Sequence, residues 1–308
     1  VTLSYRTIVE SGRQRRVPCG PINSSYRPTA GPARNVGLPA VITGRTALVP
    51  ALKVAIQLAG LRQPLRKALH TAAQLGATAV EIDARHELQP QQLSTTGLRE
   101  LRNLLDELNL RVAAVGFPTH RGYDVAEQLQ RRVEATKAAM KLAHDLGAGV
   151  VINQVGRVPA EPAGPAWNQL LQVLTDLGNY GHHVGAFLAA QTGTESGPDL
   201  VRLLGALPAQ AIGIDLDPGN LIINGFSPLE AVTSLGPNIL HVHARDGVRD
   251  LARGRGLEVP LGRGSADFPA LLGALEEHAY RGYFTVAREQ TEDPIYEIGS
   301  AVKYLRSL

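Results

Sequence analysis

Eight alternations of an apolar strand with a helix-length segment predict a (β/α)8 TIM barrel, α/β in class, with an irregular N-terminal extension. Two observations carry that prediction. The strands read as short, nearly continuous apolar runs, the pattern of parallel strands buried on both faces. Polar and charged residues gather just where those runs end, and in parallel α/β folds the loops after the strands converge to build sites there. The repeat length varies, which excludes a solenoid. A doubly wound open sheet would call for a glycine-rich phosphate turn after its first strand, and IQLAGLRQP has no G-x-G-x-x-G.

The elements follow in order. LKVAIQLAGL from Leu52 is a buried strand, and 63–75 is an apolar-periodic helix stopped by Gly76. TAVEIDAR is the second strand, followed by a helix over 94–110 with Ser94 and Thr95 as N-cap candidates. RVAAVGFPT, GVVINQVG and AFLAAQTG are the next three strands, with helices over 126–146, 167–180 and 198–207. IGIDLDPGN and ILHVHARDG are the sixth and seventh, joined by a helix-length segment. A helix over 267–278, the strand YFTVARE and a closing helix over 294–305 complete the count. The barrel thus takes residues 51–308.

Residues 1–50 have no sustained period of either kind. They hold seven Arg against Glu10, so +6 of the chain's net charge of +3 sits there and 51–308 carries about −3. This basic, Arg/Pro-rich extension reads as a weakly ordered or subunit-wrapping arm, which fits a homodimer. A net-negative barrel does not offer a nucleic-acid surface, and no apolar run approaches the ~20 residues that span a bilayer. The single Cys19 rules out an internal disulfide and fits a reducing, cytoplasmic setting.

The chemistry concentrates in 211–247. Side chains two apart on a strand share a face. Asp215 and Asp217 therefore point one way, as do His241, His243 and Arg245 on the next strand, while Ile214, Leu216, Val242 and Ala244 face the helices. Asp217 suits either a metal ligand or a cap on the DPGN turn, and His243 either a lumenal ligand or a hydrogen-bonded core residue. His241, deeper on that face, reads as structural. Glu81, Asp83 and Arg85 share a face on the second strand, where internal ion pairing is the simpler reading. Arg121 in FPTHRGYD suits clamping of a phosphate or carboxylate. Asn153 and Gln154 suit hydrogen bonds to sugar hydroxyls. Arg245 and Asp246 sit at the mouth, where they either bind substrate or pair with each other. His182 and His183 fall at the opposite, N-terminal face, away from this chemistry.

The phrases QLGATAVEI, DLDPGN, HVHARD and PLGRGSADFPALLGALEEHAYRGYFTV, in this order, resemble the xylose isomerase-like barrel superfamily of sugar phosphate isomerases and epimerases, inosose dehydratases and the endonuclease IV branch. The resemblance spans 52–308. It implies a divalent metal held by Glu, Asp, His and Glu from strands five to eight. Carried over, the Asp falls on Asp217 and the His on His243, but the two glutamates fall on Gln191 and Ala287. A Gln carbonyl brings no charge and Ala no donor, so Mn²⁺, Mg²⁺ or Zn²⁺ is expected to bind weakly or not at all. Those glutamates are also the family's acid/base pair, and neither Gln191 nor Ala287 can move a proton. Glu289, two residues past Ala287 on the same face, is the substitute catalytic carboxylate beside Asp217 and His243; Glu195 and Asp246 are further candidates. The run from Gly254 to Phe268 resembles the family's loop closing over the pocket, its glycines suiting a tight, mobile loop.

Three functions follow as alternatives. The chain is a sugar or sugar phosphate isomerase or epimerase working by proton transfer next to a carbonyl with an altered metal site, or a degenerate barrel that binds a sugar-like ligand without turnover. A nuclease of the endonuclease IV kind fits worst, because its zinc-holding strand ends read Gln154, Gln191 and Ala287 here.

Overall fold

The computed structural model describes residues 5–10, 13–18, 52–250 and 254–308. The chain divides into two compact units, Val1–Val49 and Pro50–Leu308. The first contains an antiparallel ladder of Tyr5–Glu10 on Arg13–Pro18. Cys19 lies outside the described residues.

The second unit is a closed barrel of eight parallel strands: β1 (Val54–Gln57), β2 (Ala79–Asp83), β3 (Arg111–Gly116), β4 (Val150–Asn153), β5 (Phe187–Gln191), β6 (Gly213–Leu216), β7 (Ile239–Ala244) and β8 (Phe284–Val286), with β8 paired to β1. Helices α1 (Leu65–Gln74), α2 (Thr95–Glu107), α3 (Leu129–Asp145), α4 (Pro165–Val184) and α5 (Gly197–Ala206) follow the first five strands. The β6–β7 crossover holds two helices, α6 (Pro218–Ile223) and α7 (Pro228–Leu235), broken at Asn224–Ser227; α8 (Phe268–Glu277) and α9 (Pro294–Ser307) close the ring. Ser94 caps α2, accepting from the Gly97 backbone N–H at 3.1 Å.

Strand alternation divides the barrel wall as the sequence predicts. Val54, Ile56, Val80, Ile82, Ile214, Leu216 and Val242 are buried in one continuous cluster with the helices. Ala55, Ala79 and Ala113 form a separate small cluster with Tyr283. Above them the inward positions are polar: Gln57, Glu81, Asp215, His241, His243 and Thr285.

Two register shifts position that polar layer. On β2–β3 the pairing slips between Val80 and Glu81, and on β6–β7 between Ile214 and Asp215. A bulge adds one residue to the facing strand and re-aims the side chains after it. Both shifts fall immediately before a carboxylate that contacts His243.

The loop expected after β7 is a hairpin. Asp246–Asp250 pairs antiparallel with Arg255–Val259. Part of the expected loop is thus a ladder, in which Val248 faces Leu257, and two buried acids hold it, as described below. No described helix is long and apolar enough to cross a membrane.

Candidate active site

A cavity of about 400 Å³ opens at the C-terminal ends of the strands. Its wall takes Gln57 from β1, Glu81 and Asp83 from β2, Gln191 from β5, His243 from β7 and, past β8, Glu289.

His243 is the hub. It is 1% exposed, its Nδ1 lies 2.7 Å from Asp215 Oδ2 and its Nε2 lies 2.8 Å from Glu81 Oε2. Burial alone would lower its pKa, but the two carboxylates hold it well above the usual imidazole value. Asp215 is fully buried, which favours its neutral form; the His243 charge and hydrogen bonds from both histidines outweigh that and hold it down at about 2. Asp215 Oδ1 meets His241 Nδ1 at 2.8 Å, and His241 Nε2 meets the Thr285 hydroxyl at 2.7 Å. His241 is thus tied on both sides, as its depth in the barrel suggested.

Glu81 is the residue that sequence reasoning undervalued. Its expected ion pair with Arg85 does not form, because Arg85 donates to the Pro118 carbonyl. Asp83 instead pairs with His86 at 2.7 Å. Glu81 Oε1 accepts from Gln57 Nε2 at 2.9 Å, while the buried Oε2 has no aligned hydrogen bond among the described residues. Burial raises the Glu81 pKa, yet the neighbouring His243 cation leaves it lowered overall, so it stands as a carboxylate. Gly116 leaves it room: a Cβ there would lie 2.9 Å from Glu81 Oε1.

The second carboxylate of this strand end behaves oppositely. Burial, helped by the charges of Asp83 and Glu81, pushes Glu87 up to about 7. A raised folded value means stability is greatest below the unfolded value near 4.5 and falls as pH rises through 7. A shift of that size corresponds to about 3 kcal/mol in full burial, which screening at this half-buried group cuts to about 1 kcal/mol. Glu87→Gln is therefore expected to be more stable than wild type by about 1 kcal/mol at pH 8.5 and equal to it at pH 4.5 in urea titrations. A pH-independent difference would reject the assignment.

Asp217, also fully buried, both caps α6 and faces the site. Its Oδ1 accepts from the Asn220 backbone N–H at 2.9 Å, and its Oδ2 lies 3.2 Å from both Gln191 Nε2 and Arg245 Nη1. Burial raises its pKa despite Arg245. The DPGN turn can approach β7 only through Gly219, where a Cβ would lie 2.9 Å from the Arg245 Cβ and the Asp246 nitrogen. Arg245 does not pair with Asp246. It lies 3.2 Å from each of Asp217, Glu258 and Glu289. Asp246 instead turns into its own loop and accepts from the backbone N–H groups of Gly247, Gly262, Gly264 and Ala266.

Glu258, which the sequence gave no reason to single out, reaches back from the hairpin. Its carboxylate takes Arg245, Arg288 Nη1 at 2.8 Å and the backbone N–H groups of Glu289 and Gln290. Glu289 itself is 63% exposed at the mouth. The amide of Asn153 is consumed by Thr119 and the Tyr123 hydroxyl, while Gln154 is exposed at the cavity rim. Arg121 pairs with Glu127 and lines a neighbouring cavity shared with Glu195, whose pKa burial raises.

Two places in this layer bear on a metal. The four positions the resemblance assigns, Gln191, Asp217, His243 and Ala287, do not fit a divalent ion. Ala287 is a buried apolar residue and a guanidinium already stands on Asp217. Deeper, Glu81, His241 and His243 each offer a donor atom within 4.8 Å of the others. That set fits a divalent ion better. Asp215 holds both imidazoles through Nδ1, as a carboxylate behind metal-bound histidines does, and the Glu81 carboxylate stands at the Nε2 side of His243. Nitrogen donors favour zinc or manganese over magnesium there.

The family model described as Xylose isomerase-like TIM barrel matches residues 69–308. An inosose dehydratase of Bacillus thuringiensis is 26% identical over 227 residues, 62% of this chain and 73% of that protein. The rhizopine catabolism protein MocC of Rhizobium meliloti is 25% identical over 262 residues, 74% of this chain and 75% of its own. Among solved structures, a xylose isomerase domain protein from Planctomyces limnophilus superposes with a TM-score of 0.75 at 24% identity, covering 84% of this chain and 97% of that one. A xylose isomerase-like TIM barrel protein from Mycobacterium smegmatis, in complex with magnesium, gives 0.68 at 16%, covering 84% and 96%.

Proposed function

Because the chain belongs to the Xylose isomerase-like TIM barrel family, we propose that it is an enzyme acting on a small polyhydroxylated carbonyl compound, a sugar or an inosose, by moving a proton at the carbon beside the carbonyl. The observation that carries this reading is Glu81: a buried carboxylate, kept ionised by His243 2.8 Å away, on the wall of a cavity of about 400 Å³. That volume suits a hexose-sized ligand, and the inosose dehydratases supply the chemical class.

In this reading Glu81 takes the proton from carbon, the C–H electron pair becomes the C=C bond of an enediolate, and the carbonyl π pair passes to oxygen. Delivery of a proton to the opposite face by a second acid, for which Glu289 on the cavity wall is the candidate, gives an epimer. Return from Glu81 to the former carbonyl carbon, with the hydroxyl proton passing between the two oxygens, gives an isomer. Departure of a neighbouring hydroxyl with a proton gives the dehydrated product. None of these needs an oxidant. His243 keeps Glu81 ionised, and the amides of Gln57 and Gln191 line the cavity with it. A divalent ion on Glu81, His241 and His243, where bound, supplies Lewis-acid polarisation of a ligand oxygen.

The changed positions Gln191 and Ala287 favour one other reading, a sugar-like ligand bound without turnover. Proton NMR in D₂O separates the two, with D-tagatose, D-allulose and an inosose as probes. Deuterium entering at the carbon beside the carbonyl, above the rate without protein, is the expected result. A probe that shifts protein resonances saturably while no probe exchanges would leave only the binding reading.

A further inference from the structure

We infer that the guanidinium of Arg245 stands in for the divalent ion at Asp217, so that the positive charge of this site is built into the chain. Arg245 lies at the centre of three carboxylates brought by three separate segments. Its Nη1 is 3.2 Å from Asp217 Oδ2 at the end of β6 and 3.2 Å from Glu289 Oε1 past β8, and its Nε is 3.2 Å from Glu258 Oε1 on the hairpin. Asp217 and Glu258 are 0% and 2% exposed, and Arg245 11%. Two buried acids this close to each other's cation would be costly without it, since a buried unpaired charge is not tolerated. A divalent ion meets the same need with oxygen donors, and in doing so it also draws in the two glutamates that the resemblance assigns to strands five and eight. Here those positions are Gln191 and Ala287.

The replacement is consistent in charge and in space. Gln191 donates an N–H to Asp217 Oδ2, which a ligand amide oxygen facing a cation would not do. Two carboxylates, Glu258 and Glu289, stand around Arg245 where the strand-five and strand-eight positions carry none. Arg245 lines the cavity, so its planar fork presents fixed N–H donors to a ligand carbonyl or carboxylate oxygen, a geometry a point charge does not impose. The inference concerns the cation alone and holds whether or not the cavity turns its ligand over.

Mn²⁺ is the probe, followed by calorimetry and by electron paramagnetic resonance on the full chain. The expected result is that wild type and Asp217→Asn bind Mn²⁺ identically: neither binds, or both bind at the deeper Glu81, His241 and His243 cluster, which Glu81→Gln then removes. Arg245→Ala frees three carboxylates and is expected to gain a Mn²⁺ site with affinity improved at least tenfold over wild type; Arg245→Ala/Asp217→Asn loses that gain. Stoichiometric Mn²⁺ in wild type that Asp217→Asn abolishes would overturn the inference. So would a folded Arg245→Ala, by circular dichroism, that takes up no Mn²⁺ at millimolar supply. Should Arg245→Ala not fold, the wild-type and Asp217→Asn pair still decides, because Asn retains the cap on α6.

Discussion

Glu81→Gln is expected to slow deuterium exchange at the carbon beside the carbonyl by 10²- to 10⁴-fold while the barrel stays folded. That range is what a positioned general base contributes. The amide has the shape of the carboxyl, so the cavity keeps its volume and the contact with Gln57 is retained in kind. What disappears is the lone pair that accepts the proton, because an amide oxygen is far too weak a base. Stability is expected to fall by about 2 kcal/mol, as for the amide at Asp215. His243 loses one anionic partner but keeps Asp215 at 2.7 Å, and the cost of burying the Glu81 charge is relieved at the same time. A binding assay belongs beside the exchange assay: the affinity of the probe sugar should change by less than tenfold. Loss of rate with retained binding marks Glu81 as the base. Exchange at the wild-type rate would instead move the base to Asp83 or Glu289, the other carboxylates on the cavity wall.

The layout of the barrel was legible in the sequence because each strand carries its own signal. β-alternation alone separates Ile214 and Leu216 from Asp215 and Asp217, and the buried cluster divides them the same way. Helix ends were equally local, as with Ser94 ahead of α2. The site was legible only in part. His243, Asp217 and Gln191 lie within hydrogen-bond chains of the same polar layer, and those positions follow from strand ends one can read. Their partners do not. Glu81 meets His243 across the barrel, 162 positions away in the chain by numbering, and nothing on β2 distinguishes an acid that pairs with Arg85 from one that pairs with a distant histidine. The register shift that re-aims it lies in the pairing of two strands, which no single strand encodes. Glu258 was hidden for a second reason. The hairpin that carries it is rich in glycine, and GRGLEV reads as loop until Leu257 is placed opposite Val248. Asp246 shows the opposite error. Its place at the strand end suggested substrate, but four backbone N–H groups in its own loop compete for its oxygens and win by proximity.

The same cross-barrel coupling makes Asp215 the residue whose loss should cost the fold most. Asp215→Ala is expected to lower the unfolding free energy by about 3–5 kcal/mol, the usual consequence of removing one partner from a buried ion pair. Asp215 is 0% exposed and accepts from two imidazoles at 2.7 and 2.8 Å. Alanine leaves both Nδ1 groups facing a void that is closed to solvent, and each unpaired buried donor carries a penalty of about 1–3 kcal/mol. His243 loses more than His241, because it keeps its proton between two acids and would retain only Glu81. Asp215→Asn tests the charge separately from the volume. Its single carbonyl oxygen can accept from one histidine, while its NH₂ must face the other and force that ring into its other tautomer. A loss of about 2 kcal/mol, between wild type and alanine, is therefore expected. Urea titrations at pH 7 give both numbers, and ¹H–¹⁵N spectra of the imidazoles report which ring has changed tautomer. If Asp215→Ala cost less than 1 kcal/mol, the two histidines would have to find other acceptors within the barrel. The bulge before Asp215 would then have no energetic reason to exist, since the carboxylate it re-aims would be dispensable to the fold.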